Sequence, residues 1–461
     1  MIKPVYSFLK DKGYNIEETM STHIAVWKSW YAGNVQGFHD YKVFNGQQDI
    51  KVKRLSLQLG KSICENIANL LFNEKCKIAI EDKTTDEFIK QVFDRNNMYV
   101  KLNESQERKA AYGTMAYIPY HTSVGIKMNY ITSENMVPLS WENGEILELC
   151  VFSTVIIKGK EGSYVQLFLL AEDGTYNIEN HLLSLDGDKV LSLQLDGVPG
   201  FEDVEPEIAT GSKLKPFVID RLNIANNIDT DSPLGVSVFN SALDVMRACD
   251  LIFDSYANEY SLGKKRVMVA AEATNVRTGQ PVFDPDDLVF YMLPEGLDSA
   301  GKPYIQELNM SLRSAEHEAG LQQMLNIFSS QCGLGESFYR YSGSGALVTA
   351  TQVISDNSTL FRTLKKHEII LESVLVDLIR LIVDIAIRNG EKALAIPEVT
   401  VIFDDSIIED KEKEITRRMA EIAAGLLKPE KYIAWRYGVT EEAAKDFLPD
   451  SQNGTAEEGI Q

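Results

Sequence analysis

Between Thr349 and Arg388 apolar residues recur at steps of three, four and seven: Phe361, Leu364, Leu371, Leu375, Leu378, Ile382 and Ile385. That period places them on one face of a single helix of about forty residues. A glycine-serine loop, Tyr341-Ser-Gly-Ser-Gly-Ala346, precedes it. Ordinary globular helices run to about a dozen residues. One so long, fed by a flexible loop, suggests a strut in a large assembly rather than the wall of an enzyme pocket.

Upstream, the first hundred residues read as helical. Leu55, Leu59, Ile63, Ile67 and Leu71 repeat every four positions, and Phe88, Val92 and Phe93 mark another amphipathic stretch. From Tyr112 to Leu183 the pattern changes to short β-rich runs separated by Glu142-Asn-Gly144, Gly159-Lys-Glu-Gly162 and Asp173-Gly174. That reads as an antiparallel meander. Leu195 to Pro216 is a glycine- and acid-rich connector.

A second helical stretch, Ser237 to Tyr260, steps through Phe239, Ala242, Met246, Cys249, Phe253, Tyr256 and Tyr260 as a helix-packing seam does. A small β-rich insertion follows, ending near Leu308, and then a helix over Ser311 to Cys332 with Leu321, Leu325, Phe328 and Cys332 on one face. Two long helices flanking a compact β module have the form of a stalk with a tip. Past the long helix, Pro397 to Phe403 reads as a strand and Asp410 to Leu427 as a helix. Pro429 to Phe447 holds one or two short helices, and the final dozen residues read as a disordered tail.

Composition narrows the class. At 461 residues the chain exceeds what one hydrophobic core usually supports, so two or more domains are expected. No run approaches the roughly 20 apolar residues needed to cross a bilayer, and the opening MIKPVYSFLKDKGYN is too polar for a secretory signal. A soluble product made in the cytoplasm is expected. Cys64, Cys76, Cys150, Cys249 and Cys332 never form a C-x-x-C pair. That argues against a disulfide framework or zinc ribbon, and for small buried core residues.

The formal charge is −21. A protein that grips DNA by counterion release shows a basic stripe, and this one does not. An acidic wall repels phosphate, which is useful where DNA must slide past; solubility alone explains the number equally well. Three basic clusters interrupt the acidity: Lys51/Lys53/Arg54, Lys264-Lys265-Arg266 and Lys365-Lys366. The last follows the glycine loop and would meet passing phosphates if its helix lined a channel.

Catalytic signatures are missing. There is no G-x-x-x-x-G-K-[ST] loop, no G-x-S-x-G elbow and no third glycine beside Gly343 and Gly345. The six histidines are scattered, and His317 between Glu316 and Glu318 reads as a solvated helix face. Asp284-Pro-Asp286-Asp287 reads as a turn and lacks the glycine and terminal glutamate of a calcium loop. No metal, cofactor or catalytic role is expected.

The segment Thr349-Ala-Thr-Gln-Val-Ile-Ser-Asp-Asn-Ser-Thr-Leu-Phe-Arg362 resembles the portal proteins of tailed bacteriophages with Gram-positive hosts. So do Asp231-Ser-Pro-Leu-Gly-Val-Ser-Val-Phe239, Asn129-Tyr-Ile-Thr-Ser-Glu-Asn-Met-Val-Pro138 and Trp27-Lys-Ser-Trp-Tyr31, and the likeness runs from about residue 20 to 435. The resemblance implies an α+β fold: a mostly helical wing, stem and crown, with an antiparallel β meander in the wing and a small β-rich clip. Mapped here, the wing is 1–232, joined by the long helix and following strand at 350–404. The stem is 233–262 and 308–333, the clip 263–307, the tunnel loop 334–349, and the crown 405–461 with its acidic tail.

The same resemblance implies a ring, typically of twelve subunits, at one capsid vertex of the virion. Double-stranded DNA passes through it without sequence recognition. Its partners would be the terminase large subunit, then a head-completion or adaptor protein, with major capsid and scaffold proteins around the wing, and no membrane. Expected channel residues are Phe338, Arg340, Tyr341, Ser342, Ser344, Lys365 and Lys366, with Tyr339 projecting beside them. Subunit contacts fall to Phe239, Met246, Phe253, Tyr256 and Tyr260, and clip docking to Lys264, Lys265, Arg266, Asp284, Asp286 and Asp287. Two rivals are a minor capsid or scaffold component, which would not form a ring, and an enzyme built on the Asp284 acids.

Overall fold

The N-terminal hundred residues alternate helix and strand instead of running as helix throughout. A computed structural model describes residues 2–262 apart from 17, 45–47, 74–75, 158, 187–188 and 203. It also describes 266–270, 290–293, 305–308, 311–339, 350–403 apart from 392, 411–437, and 444. Helices α1 (Ile2–Asp11) and α2 (Thr19–Tyr31) precede an antiparallel hairpin of β1 (Asp40–Phe44) and β2 (Asp49–Lys53). Then come α3 (Leu59–Leu71), β3 (Lys77–Ile80), α4 (Lys83–Asn96) and α5 (Met98–Tyr112). The four-residue repeat is the buried face of α3, with one exception: Leu55 lies outside the helix and is 46% exposed.

The β-rich region is two sheets rather than one meander. β4 (Thr114–Thr122) and β5 (Gly125–Thr132) form a hairpin, and a 3-10 turn at Ser133–Asn135 ends it. Next come β6 (Met136–Glu142), β7 (Glu145–Ile157), β8 (Lys160–Leu170), β9 (Tyr176–Asp186) and β10 (Lys189–Leu193), an antiparallel sheet in chain order. Asn143 and Gly144 join β6 to β7 with φ of +50° and +77°. Both left-handed residues suit the mirror-image hairpin turn, whose twist matches the flanking strands. β11 (Glu207–Ala209) shares the edge of β9, and β12 (Val218–Arg221) returns to pair with β4. The connector therefore contains a strand. Val5, Tyr6 and Leu9 of α1 bury against Val137, Phe152, Val165 and Leu167, covering one sheet face.

A polar knot lies inside this framework. Lys109 of α5 and Asp220 of β12 are both fully buried, with Nζ 2.8 Å from Oδ1. Oδ2 of Asp220 accepts from the Tyr117 hydroxyl of β4 at 2.9 Å and from Gln106 Nε2 at 2.8 Å. Desolvating two ions costs several kcal/mol each, and only their attraction plus well-aligned hydrogen bonds offsets it.

Next to the knot, α5 ends at Gly113, and Gly235 crosses it at van der Waals range. A Cβ on Gly113 would lie 2.4 Å from the Gly235 carbonyl oxygen, and one on Gly235 would lie 2.5 Å from that of Gly113. The crossing is fastened by Gly235 N–H donating to Thr114 Oγ1 at 2.8 Å and Val238 N–H to the Ala110 carbonyl at 2.9 Å.

From this crossing the chain enters α6 (Leu243–Leu262). Then come β13 (Arg266–Ala270), β14 (Phe290–Leu293), β15 (Ile305–Leu308) and α7 (Ser314–Gln331). β13 is central, parallel to β14 and antiparallel to β15, so the order helix, β insertion, helix holds. Helix α8 (Ala350–Arg388) has 39 residues and is roughly 60 Å long. Of its seven marked apolar positions Phe361 is half-buried and the rest are buried. Ile379, Leu381, Val383 and Ala386 are buried as well, so its C-terminal half is a core helix, not a strut. β16 (Val399–Ile402) then pairs antiparallel with β3.

The chain divides into two compact units: Met1–Thr349 with Ser355–Phe403, and Ala350–Ile354 with Asp404–Gln461. The second holds α9 (Lys411–Ala423) and α10 (Pro429–Tyr437). There the Arg418 guanidinium sits 4.2 Å from the Trp435 ring centre. Helices combined with sheets that are antiparallel in every described pairing of named strands except β13–β14 make this an α+β fold.

Breaking the knot from one side leaves a buried charge without its counter-ion. Lys109→Met or Asp220→Ala should each lower the unfolding free energy by about 3–5 kcal/mol, and the double variant Lys109→Met/Asp220→Leu by much less than the sum. Urea unfolding of the four proteins decides it; strictly additive losses would show the pair is not coupled.

Candidate functional site

The helix pair α6/α7 is built in two halves. Near the start of α6, Phe239, Ala242, Met246 and Cys249 are buried in the chain's own core. Phe239 and Met246 are therefore unavailable to a neighbouring subunit, because the α5 crossing sets them inward. Further along, Phe253 and Tyr256 are half-buried and Tyr260 is half exposed. Phe253 and Tyr256 line a groove of about 650 Å³ with Leu57, Ala315, Ala319 and Leu321.

The two helices are clasped where α6 ends and α7 begins. Arg313 donates from Nη2 to Glu259 Oε2 at 2.8 Å and from Nε to Oε1 at 3.1 Å. His317 Nε2 lies 3.2 Å from the same carboxylate and its ring stacks on Tyr256, centroids 5.3 Å apart. These donors, Arg313 first and His317 second, pull the Glu259 carboxyl down to about 2. Tyr260 hydroxyl meets Ser314 Oγ at 3.1 Å. His317 is thus part of a helix-helix clasp, not a solvated face.

The base of α6 is held by carboxylates one turn apart. Asp250 accepts from Leu57 N–H at 2.7 Å and Ser56 Oγ at 3.0 Å, and lies 2.9 Å from His39 Nε2. Val35 N–H donates to His39 Nδ1 at 2.8 Å, so the ring proton sits on Nε2 and faces Asp250. Asp254 accepts from Leu55 N–H at 3.0 Å.

The start of the expected tunnel loop is anchored. Asn66 Nδ2 donates to the Tyr339 hydroxyl at 3.0 Å, Gln322 Nε2 donates to its carbonyl at 2.7 Å, and its ring packs near Phe328. Tyr339 therefore does not project. Phe338 is half-buried with its ring edge-on to Tyr339 at 5.1 Å. Arg340, Tyr341, Ser342, Ser344, Lys264, Lys265, Asp284, Asp286 and Asp287 lie outside the described residues, and Arg266 opens β13.

The two lysines of α8 differ. Lys365 pairs with Glu368 at 3.0 Å and lies 5.6 Å from the Phe361 ring centre, whereas Lys366 is exposed. Between them and the knot sits His367, buried, its Nδ1 accepting from Asn223 N–H at 3.1 Å. Asn223 Nδ2 also donates to the Lys366 carbonyl at 2.9 Å. Burial, then Lys109, then Lys366 push the His367 pKa from 6.5 down to about 3. All five cysteines are reduced and buried, as core residues.

Among the described residues no group of three histidine, cysteine or acidic side chains is arranged to hold a metal ion. No helix among them is long and apolar enough to cross a membrane. The polar side chains described here join helices and strands to one another.

A family model described as "Phage portal protein, SPP1 Gp6-like" matches residues 11–454. The chain belongs to that family of structural proteins and serves as a portal at the capsid vertex. No curated protein matches at a significant level. Among solved structures, the chain is similar to one from the neck of an empty GTA particle computed with C6 symmetry, at 11% identity. That match covers 93% of this chain and 95% of that one, with a TM-score of 0.45. A virion of a native gene transfer agent particle gives 10%, 93% and 95%, and 0.43.

The buried imidazole yields a pH signature. Between pH 6.5 and about 3 the unfolded chain binds a proton at His367 that the folded chain refuses. Its stabilising contribution is therefore full above pH 6.5 and shrinks as pH falls. Against His367→Gln, the wild type should lose up to about 1.4 kcal/mol more per pH unit over that window. Urea unfolding at successive pH values measures it, and parallel slopes would contradict a buried neutral histidine.

Proposed function

We propose that the chain closes into a ring of twelve subunits whose lumen carries double-stranded DNA into and out of the virion. The observation that carries this reading is the portal-family match over residues 11–454. In this ring the wing is 1–232 with 350–404, and the stem is 233–262 with 308–333. The clip is 263–307, the tunnel loop 334–349 and the crown 405–461. The clip docks the terminase large subunit during packaging and a head-completion or adaptor protein afterwards. The wing faces major capsid and scaffold proteins during assembly in the host cytoplasm. The chain itself catalyses nothing; the terminase supplies the energy.

Three features support this. A β unit placed between two clasped helices suits a stem that carries a docking tip. The groove at Phe253 and Tyr256 is an apolar face on the stem, and a ring neighbour would cover it. With its acids facing inward, a chain of charge −21 would make a lumen that does not bind the duplex it conducts.

Two outcomes follow. Phe253→Glu should leave a folded chain that light scattering finds as monomer at concentrations where the wild type forms particles of about ten or more subunits with a central hole. A ring of normal mass from this variant would remove the groove from the subunit contact. Lys366→Glu should change DNA packaging or retention while the ring persists, and an unaltered packaging yield would take Lys366 out of the channel.

A further inference from the structure

The β1–β2 hairpin buries almost nothing of its own. Of the ten strand residues only Tyr41 and Val52, paired across the ladder, are half-buried, while Phe44 is 66% exposed and Val43 and Ile50 are exposed with it. An isolated two-stranded hairpin is marginal in water. This one is held at its root: the Arg54 guanidinium lies 4.2 Å from the Phe38 ring centre and 4.6 Å from that of Tyr41, and His39 is bound to Asp250. A rigid root with an uncovered apolar end is the form of an arm that completes itself on another molecule. Lys42, Lys51 and Lys53 are exposed along it.

The same chain carries a surface of opposite character. From Asp196 to Ala209 there are five acids and no Lys or Arg. Asp196, Glu202, Glu205 and Glu207 are exposed, with Ile208 exposed among them. The segment ends in β11, whose pairing is to β9 alone, so it forms a sheet edge. Lysines along a strand keep two like hairpins from pairing with each other, which selects an acidic receiver. A basic arm and an acidic edge on one chain make a heterologous contact, the kind that generates closed rings.

We propose that the β1–β2 hairpin of one copy docks on the Asp196–Ala209 edge of the next copy. Phe44, which shares a ladder face with Lys42, Lys51 and Lys53, covers Ile208, and those lysines meet Glu202, Glu205 and Glu207. This rests on the ring reading above and names one contact within it.

The test joins Phe44→Cys and Ile208→Cys in one chain; the native cysteines are all buried and do not compete. A short bismaleimide should give a ladder of covalent multimers from the double variant and none from either single variant. In parallel, Lys42→Glu/Lys51→Glu/Lys53→Glu should need about tenfold more protein for half-assembly. Adding Glu202→Lys/Glu205→Lys/Glu207→Lys to that chain should recover most of the loss. Rings of normal mass without a ladder, and without recovery on double reversal, overturn this contact and leave the ring reading intact. A wild type that stays monomeric at every concentration and with scaffold present overturns both.

Discussion

The path by which the chain enters α6 depends on the Lys109–Asp220 ion pair. It joins α5, β4 and β12, and its positive end lies close enough to α8 to depress the His367 pKa. An apolar filling of the same volume would spare the cost of dehydrating two ions. What the ionic version adds is direction: Asp220 accepts three donors from three positions, so β12 cannot slip along β4 without breaking them. Because β12 immediately precedes the segment that enters α6, its register fixes where that entry begins.

The Gly113–Gly235 crossing turns position into angle. Two backbones meet where neither tolerates a Cβ, and hydrogen bonds from Gly235 and Val238 bind the entry to the end of α5. Beyond it, the first half of α6 is sealed into the core by Phe239, Met246 and Cys249. The second half depends on the Glu259–Arg313–His317 clasp and keeps an apolar groove open to solvent. One helix is thus rooted at one end and lines an open apolar groove at the other. In the proposed ring, that division would keep the wing core rigid and leave the stem surface for neighbours.

Much of this organisation is legible in the spacing of apolar residues. The extent of α8, the buried stripe of α3 and the helix, β insertion, helix order all follow from period 3.6 or from its interruption. What spacing hides is the partner of each stripe. Phe239 and Phe253 sit in the same seam, and nothing local tells that the first is covered by its own chain and the second is not. The meander reading missed the break at Ser133–Asn135 because local alternation continues unchanged on both sides of it. Lys109 was findable: it shares the buried face of α5 with Leu102, Gln106 and Ala110, and a lysine there requires an acid. Its partner, Asp220, lies 111 positions away and no local pattern points to it.

The charge of the chain bears on how a ring can close at all. Each added copy of a chain at −21 meets neighbours of like charge, and at physiological salt that repulsion is screened beyond about 8 Å. Closure is opposed mainly at the contact faces, where separations fall below that length. Exposed cations are therefore worth most if they lie at those faces, and Lys42, Lys51 and Lys53 on an otherwise uncommitted hairpin are placed for that. In the proposed ring, acids that faced the lumen would then repel DNA without weakening the subunit contacts. Local basic contacts within an acidic whole reconcile two demands that a uniform surface cannot meet: subunits that hold one another, and a duplex that none of them holds.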